Sequence, residues 1–205
     1  ITSEGKFPMN ILITGNLGYV GSALVPYLSQ STMSSNLIGF DAGLFGHCLT
    51  GASISPEIGL KNQKYGDIRD ITEHDLEGID AIVHLAAISN DPIGNQFENA
   101  TIDINRTASV RLFEMASKVG VKNIVFASSC SMYGASSDGP RVETDPTKPL
   151  TAYAKSKIGV EDDLKNMDLK KTIVTSLRFA TACGWSPRTR LDLVLNDFVA
   201  SALGG

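Results

Sequence analysis

Short apolar runs alternate with helical periodicity along almost the whole chain. Ile11-Leu12-Ile13 is followed by Val20, Leu24, Tyr27 and Leu28 at i, i+4, i+7 and i+8, which predicts a strand, a turn and a helix with that stripe inward. Pro26 inside the stripe removes a backbone donor and predicts a kink. Asn36–Asp41 reads as a second strand ending in an acid, and residues 44–64, rich in Gly and Ser without periodicity, as a long loop. Tyr65-Gly66-Asp67-Ile68 reads as a short third strand and its exit, with Thr72 capping a brief helix through Leu76. Ala81–Ala87 is a fourth strand that ends in small residues. Ala108, Leu112, Met115, Ala116 and Val119 form a helical stripe, with Lys118 and Gly120 as its stop signals. Asn123–Ala127 is a fifth strand, running into Ser128-Ser129-Cys130-Ser131-Met132-Tyr133-Gly134. The prolines 140, 146 and 149 make 136–150 irregular, and Thr151 caps the next helix. Positions 153, 157, 160, 164 and 167 run along one side of that helix. Ile173–Leu177 is a sixth strand, and Leu193, Leu195, Phe198 and Val199 suggest a weak last helix. This alternation predicts an α/β fold, a doubly wound, mostly parallel sheet with helices on both faces.

Composition narrows the function classes. At 205 residues the chain accommodates one full α/β core. A net charge of −4 and a pI near 5.4 argue against a nucleic-acid or anionic-membrane surface. No stretch of 18 apolar residues and no secretory leader pattern is present, and Cys48, Cys130 and Cys183 lack metal-site spacing. These readings lead to the expectation of a cytoplasmic protein with reduced thiols and no metal. Residues 1–8, which precede Met9, are expected to be a foreign or disordered leader outside the fold.

The chemistry concentrates at strand exits. Gly15-x-x-Gly18-x-x-Gly21 joins the first strand to the first helix, whose N-terminus suits a phosphate. Gly15 supplies a tight turn, Gly18 lets a diphosphate approach the backbone, and Gly21 seats the helix closely. Asp41 lies 20 residues after Gly21, where a dinucleotide fold places the carboxylate for adenosine ribose hydroxyls. Neither Ala42 nor Gly43 is basic, which favours NAD over NADP. Small residues after the fourth strand leave room for a ligand, whereas His84 reads as a packed strand residue. Lys157 is the anomaly, because an ammonium is rarely placed on a core-facing stripe.

Three elements together, Gly15-x-x-Gly18-x-x-Gly21, the Ser-rich exit ending in Met132-Tyr133-Gly134, and Tyr153-x-x-x-Lys157, resemble the extended short-chain dehydrogenase/reductase family in its nucleotide-sugar epimerase/dehydratase branch. The resemblance spans 9–199 and implies an NAD-binding domain over 9–181, with 182–205 the start of a substrate-binding region otherwise absent. It implies Tyr153 as acid/base, Lys157 on the nicotinamide ribose and acidifying Tyr153, and Ser129 bonded to the reacting sugar oxygen. Asp67 and Ile68 match the branch's adenine-contacting pair, Leu85, Ala86 and Ala87 its small-residue motif, and Asn105 the asparagine opening its crossover helix. Asn16, Tyr19, Val20 and Phe179 are further implied cofactor contacts; Ser131, Thr181 and Asn196 are implied substrate contacts. The physics fits these roles: a phenol has a pKa near 10, and an ammonium ~4 Å away contributes about 4 kcal/mol at an effective dielectric near 20, roughly three pKa units. Cys130 and Ser131 stand where dehydratases of the branch carry Asp-Glu, which weighs against a 4,6-dehydratase; Thr181 replaces a usual Asn. The expected function is an NAD-dependent epimerase acting on a nucleotide-diphosphate sugar, as a homodimer through the helices near 108–119 and 153–167. Alternatives are a one-way 4-keto-sugar reductase using NAD(P)H and a non-catalytic NAD-binding sensor or scaffold.

Overall fold

A computed structural model describes residues 8–30, 35–89, 91–135 and 139–204. The expected leader therefore lies outside the described residues apart from Pro8, as do 136–138 of the proline-rich stretch. Six strands, β1 (Met9–Thr14), β2 (Ser35–Asp41), β3 (Asn62–Tyr65), β4 (Ala81–His84), β5 (Asn123–Ser129) and β6 (Ile173–Phe179), form one parallel sheet in the order β3-β2-β1-β4-β5-β6. The expected doubly wound architecture is present. Strand order reverses between β1 and β4, whose register pairs Ile13 with Val83 and Thr14 with His84. In such sheets the crevice for a ligand opens at the carboxyl ends beside that reversal.

Alternation along β1 divides the core. Leu12 joins Ile82, Leu112, Phe113, Ile124, Phe126 and Val160 on one face, under α4 (Ala108–Val119) and α5 (Ala152–Leu164). Ile13 joins Val25 and Leu37 on the other, under α1 (Tyr19–Ser29). Both faces are covered, so the inner strands carry continuous apolar runs. Caps read from sequence are in place: Thr72 N–H donates to Asp75 Oδ2 (3.0 Å), and Ala154 N–H donates to Thr151 Oγ1 (3.2 Å). Gly120 ends α4 at φ +90°, a left-handed conformation that suits glycine.

Four expectations are corrected. The third strand is Asn62–Tyr65, so it shares only Tyr65 with the strand expected and takes its other three residues from the stretch read as loop, while Ile68 lies in a 3₁₀ turn; an edge strand of polar residues carries no apolar signal. A second 3₁₀ turn, Pro56–Gly59, also interrupts that loop. In α1 the buried residues are Gly21, Ser22 and Val25, and Tyr27 is 75% exposed. Small residues face the glycine loop because close approach there leaves no volume for larger ones; the helix runs on as one element with Pro26 inside. Asn105 does not open its crossover helix. The helical path starts at α2 (Asp91–Gln96) and α3 (Glu98–Ile102), and Asn105 lies in a π-turn, 103–107, that leads into α4. Finally α6 (Val194–Gly204) forms as expected but buries none of its residues.

Candidate active site

The loop after β1 is built around two close approaches. Gly15 has φ +73°, and a Cβ there would meet Ala86 N at 2.6 Å and Leu85 C at 2.8 Å. The glycine loop is thus pressed on the exit of β4, bringing Gly15, Leu85 and Ala86 together. At Gly21 a Cβ would meet Asn16 Cα at 2.5 Å, so α1 sits directly on the loop. Gly18 is different: a Cβ would meet only the Gly15 carbonyl, at 3.3 Å. Its outer side is open, at the start of a helix whose first-turn N–H groups have no intrahelical partner. Such an opening at a helix N-terminus suits an anion such as a diphosphate.

Asp41 ends β2 beside this cradle. Its carboxylate accepts from Leu17 N–H (3.0 Å) and Gly43 N–H (2.8 Å), which fixes both the glycine loop and the strand exit. Each carboxylate oxygen keeps acceptor capacity for a ribose hydroxyl. The groups present fit NAD: anion cradle, acid, small residues at the β4 exit, and non-basic Ala42 and Gly43 directly after Asp41. Other expected cofactor residues are engaged within the protein. The Asn16 side-chain amide donates to Gln63 Oε1 (2.6 Å), and Asp67 is gripped by Arg69 (Nη2–Oδ2 2.7 Å), whose hydrogen bonds hold its carboxyl below the usual range. Ile68 is buried, while Val20 and Phe179 are 41% and 45% exposed.

On the other side of the reversal, α5 packs against β5 and the turn after it. Lys157 is 2% exposed, with Nζ 4.8 Å from the Phe126 ring centroid and 5.6 Å from that of Tyr153. Burial pulls its pKa down to about 7. Ser129 caps the 130–133 turn: its Oγ accepts from Ser131 N–H (3.2 Å) and lies 2.9 Å from Ser131 Oγ. Ser129 and Ser131, expected on the sugar, therefore form one hydroxyl pair at the strand exit, and Cys130 beside them is a free, half-buried thiol.

His84 is the packed strand residue expected. Ser109 Oγ donates to the Asn105 carbonyl (2.7 Å), so it accepts from His84 Nε2–H (2.8 Å), and Nδ1 accepts from Thr14 Oγ1 (2.6 Å). Desolvation, and then the charge of Lys157, depress its pKa to about 3, leaving a neutral ring. The chain of bonds continues: Asn105 pairs with both backbone groups of Ile88 (2.8 and 2.9 Å) and donates to Ser156 Oγ (3.1 Å), which donates to the Tyr153 carbonyl (2.7 Å). Asn105 is a buried tie between the β4 exit, with Ala87 in it, and the first turn of α5.

Sequence reasoning missed the arginines after β6. Segment 184–190 returns across the carboxyl edge of the sheet. Tyr19 Oη donates to the Gly184 carbonyl (2.8 Å), and Ser186 Oγ donates to the Tyr19 carbonyl (2.7 Å). Arg188, 4% exposed, donates to the carbonyls of Phe45 (3.1 Å) and Gly46 (2.9 Å) and pairs with Glu57 (2.6 Å), fastening the loop after β2. Arg190 donates to Ser89 Oγ (2.9 Å) and forks onto Asp192; that bond holds its pKa above the usual guanidinium value, with the phenols of Tyr153 and Tyr19 adding to it. Asn196 donates to the Arg190 carbonyl (2.9 Å) and Tyr19 Oη (3.2 Å), and Thr181 is exposed. The available signal was Ser186-Pro187-Arg188-Thr189-Arg190, two cations on a segment with no apolar period.

Comparison with known proteins follows the same lines. A family model described as the NAD dependent epimerase/dehydratase family matches residues 11–205. UDP-glucose 4-epimerase from Lacticaseibacillus casei is 31% identical over 188 residues, covering 87% of this chain and 53% of the relative. UDP-glucose 4-epimerase from Streptococcus mutans is 29% identical over 185 residues, covering 87% and 54%. Among solved structures, MoeE5 in complex with UDP-glucose and NAD superposes with a TM-score of 0.76 at 29% identity, over 94% of this chain and 60% of that one. The chain spans about half the length of the curated relatives it matches.

Proposed function

Since the chain belongs to the NAD dependent epimerase/dehydratase family, we propose that it carries the nucleotide-binding and proton-transfer machinery of an NAD-dependent nucleotide-sugar 4-epimerase, with a UDP-linked sugar as substrate. The observation that carries this reading is Lys157, a lysine 2% exposed whose Nζ lies over two aromatic rings, 4.8 Å from the centroid of Phe126 and 5.6 Å from that of Tyr153. Burying an ammonium among apolar groups is costly, and a phenol one helical turn away gives it a purpose.

Gly15, Gly18 and Gly21 form the cradle for the cofactor diphosphate, Asp41 takes adenosine ribose hydroxyls, and Ala86 and Ala87 leave space for the nicotinamide half. NAD, when bound there, would supply the hydride acceptor and donor that oxidation and re-reduction at the sugar C4 require. Tyr153 accepts the proton of the C4 hydroxyl as phenolate and gives it back, while Ser129 donates a hydrogen bond to the same oxygen. Lys157 favours the phenolate, and the phenolate in turn favours the ammonium, so the two titrate as a coupled pair. A homodimer through α4 and α5 and a reducing, cytoplasmic compartment, suited to three free thiols, complete the proposal. Among the described residues no helix is long and apolar enough to cross a membrane.

Full-length protein offered a panel of UDP-, GDP- and dTDP-sugars should interconvert at least one C4 epimer pair, and Tyr153→Phe should lose at least about 100-fold in kcat. Absence of turnover across the panel, or wild-type rates in Tyr153→Phe, would overturn the reading. NAD that stays bound through purification marks the epimerase; a requirement for added reduced cofactor marks a one-way reductase instead.

A further inference from the structure

The Tyr153–Lys157 stripe continues one turn further to Glu161, a second ionisable residue on the inner side of α5, with a side chain 10% exposed. Arg178 of β6, opposite Ser128 in the β5–β6 register and 18% exposed, forks onto it: Nη2–Oε2 is 2.6 Å, and Nε lies 3.2 and 3.1 Å from the two oxygens. Ser128 Oγ donates to Glu161 Oε1 (2.5 Å). The same guanidinium reaches onward, Nη1 donating to Tyr133 Oη (2.6 Å) and to the Glu143 carbonyl (3.0 Å), with Cζ 5.4 Å from the Tyr133 ring centroid.

The arrangement has a consequence for the hydroxyl pair. Ser128 and Tyr133 flank Ser129–Ser131, and each is tied to one member of a single ion pair, half of which is carried by the helix that bears Tyr153. A half-buried ion pair is a poor device for stability, because desolvation offsets most of its attraction. It is a good device for geometry, since a guanidinium fork holds direction as well as distance. We infer that Glu161 and Arg178 are positioning residues that set the Ser129 hydroxyl against the Tyr153 phenol. The inference rests on the proposed joint action of Ser129 and Tyr153 on one sugar oxygen.

The test uses full-length, NAD-loaded enzyme and the sugar nucleotide it turns over. Glu161→Leu/Arg178→Met removes the pair without leaving an orphan charge. It should keep its melting temperature within a few degrees, keep KM and NAD affinity within about threefold, and lose about 10- to 100-fold in kcat, the cost of a misplaced reacting group. In a Ser129→Ala background the same double change should cost less than about twofold, because groups acting as one unit are not additive. Exchange of the Ser131 amide, which bonds Ser129 Oγ, should speed up about tenfold while amides of β1 stay unchanged. Unaltered kcat and exchange in the folded double variant, or equal losses in both backgrounds, overturn the inference. Should that variant fail to fold, Tyr133→Phe cuts one tether only, and the same pair of backgrounds decides. A Ser129→Ala enzyme as active as wild type removes the role of Ser129, and the inference with it. An impaired Ser129→Ala enzyme beside an unimpaired double variant overturns the positioning alone.

Discussion

Two consecutive turns of α5 treat a buried charge in opposite ways. Glu161 meets a guanidinium fork and a serine hydroxyl, so its charge is matched atom by atom. Lys157, one turn earlier and more deeply buried, meets ring faces, and burial drags its pKa from 10.5 to about 7. A shift of that size is worth about 5 kcal/mol against the charged form in the folded protein. A fold has no structural reason to retain such a cation when methionine fills the same volume. The contrast teaches which of the two is there for chemistry and which for geometry.

The largest effect should come from removing the unmatched charge. Lys157→Met is expected to lower kcat by about 10²–10³-fold, within the range for a tuned acid/base, while making the NAD-free protein more stable. The sign follows from the protons. Between pH 7 and 10.5 the unfolded chain holds the lysine proton and the folded chain does not, so stability rises with pH across that window and the penalty is full below it. Urea unfolding of NAD-free wild type should therefore gain about 3 kcal/mol from pH 7 to 9.5 through this group, and Lys157→Met should lose that gain. A variant with wild-type activity, or one that keeps the slope, would show that the two turns do not differ as argued.

His84 provides a third case, a buried titratable ring that is matched while neutral. Its pKa of about 3 lies below the ordinary 6.5, so on acidification the unfolded chain takes up the proton first and stability falls as pH drops through that interval. From pH 6.5 to 5 the fall should be about 2 kcal/mol, measured by urea midpoints against His84→Gln, which has no such proton to bind. A decline unchanged in His84→Gln would place the acid sensitivity elsewhere.

Most of the fold was legible because its inner strands and helices obey one period each. β1, β4 and β5 are apolar runs with helices on both faces, and the caps at Thr72, Thr151 and Gly120 are local chemistry. β3 was misplaced because Asn62-Gln63-Lys64-Tyr65 sits at the sheet edge and buries no residue completely. Helix α6 shows the reverse: its apolar residues signalled a helix, yet Leu195, Phe198 and Val199 are 52%, 64% and 59% exposed, because periodicity reports a helix and not what covers it. At the site, Tyr153 and Lys157 were visible as a spacing on one helix. Arg178 and Arg188 were not, since each bonds groups tens to well over a hundred residues away, and such pairings leave no mark on neighbouring positions.

The smallest effect concerns ion pairs that serve neither purpose. Lys165 and Asp162 lie at the end of the same helix, 2.7 Å apart at i and i+3, but are 70% and 57% exposed. Water already solvates both charges, and holding two long side chains in one geometry costs entropy that offsets the attraction. Asp162→Asn should change unfolding free energy by less than about 0.5 kcal/mol and leave kcat untouched, with the little it does cost vanishing in high salt. If this variant instead loses more than about 1 kcal/mol, then proximity of opposite charges would stabilise α5 by itself. The Glu161–Arg178 pair could then be explained as ordinary stabilisation, and its difference from Lys157 would be one of degree.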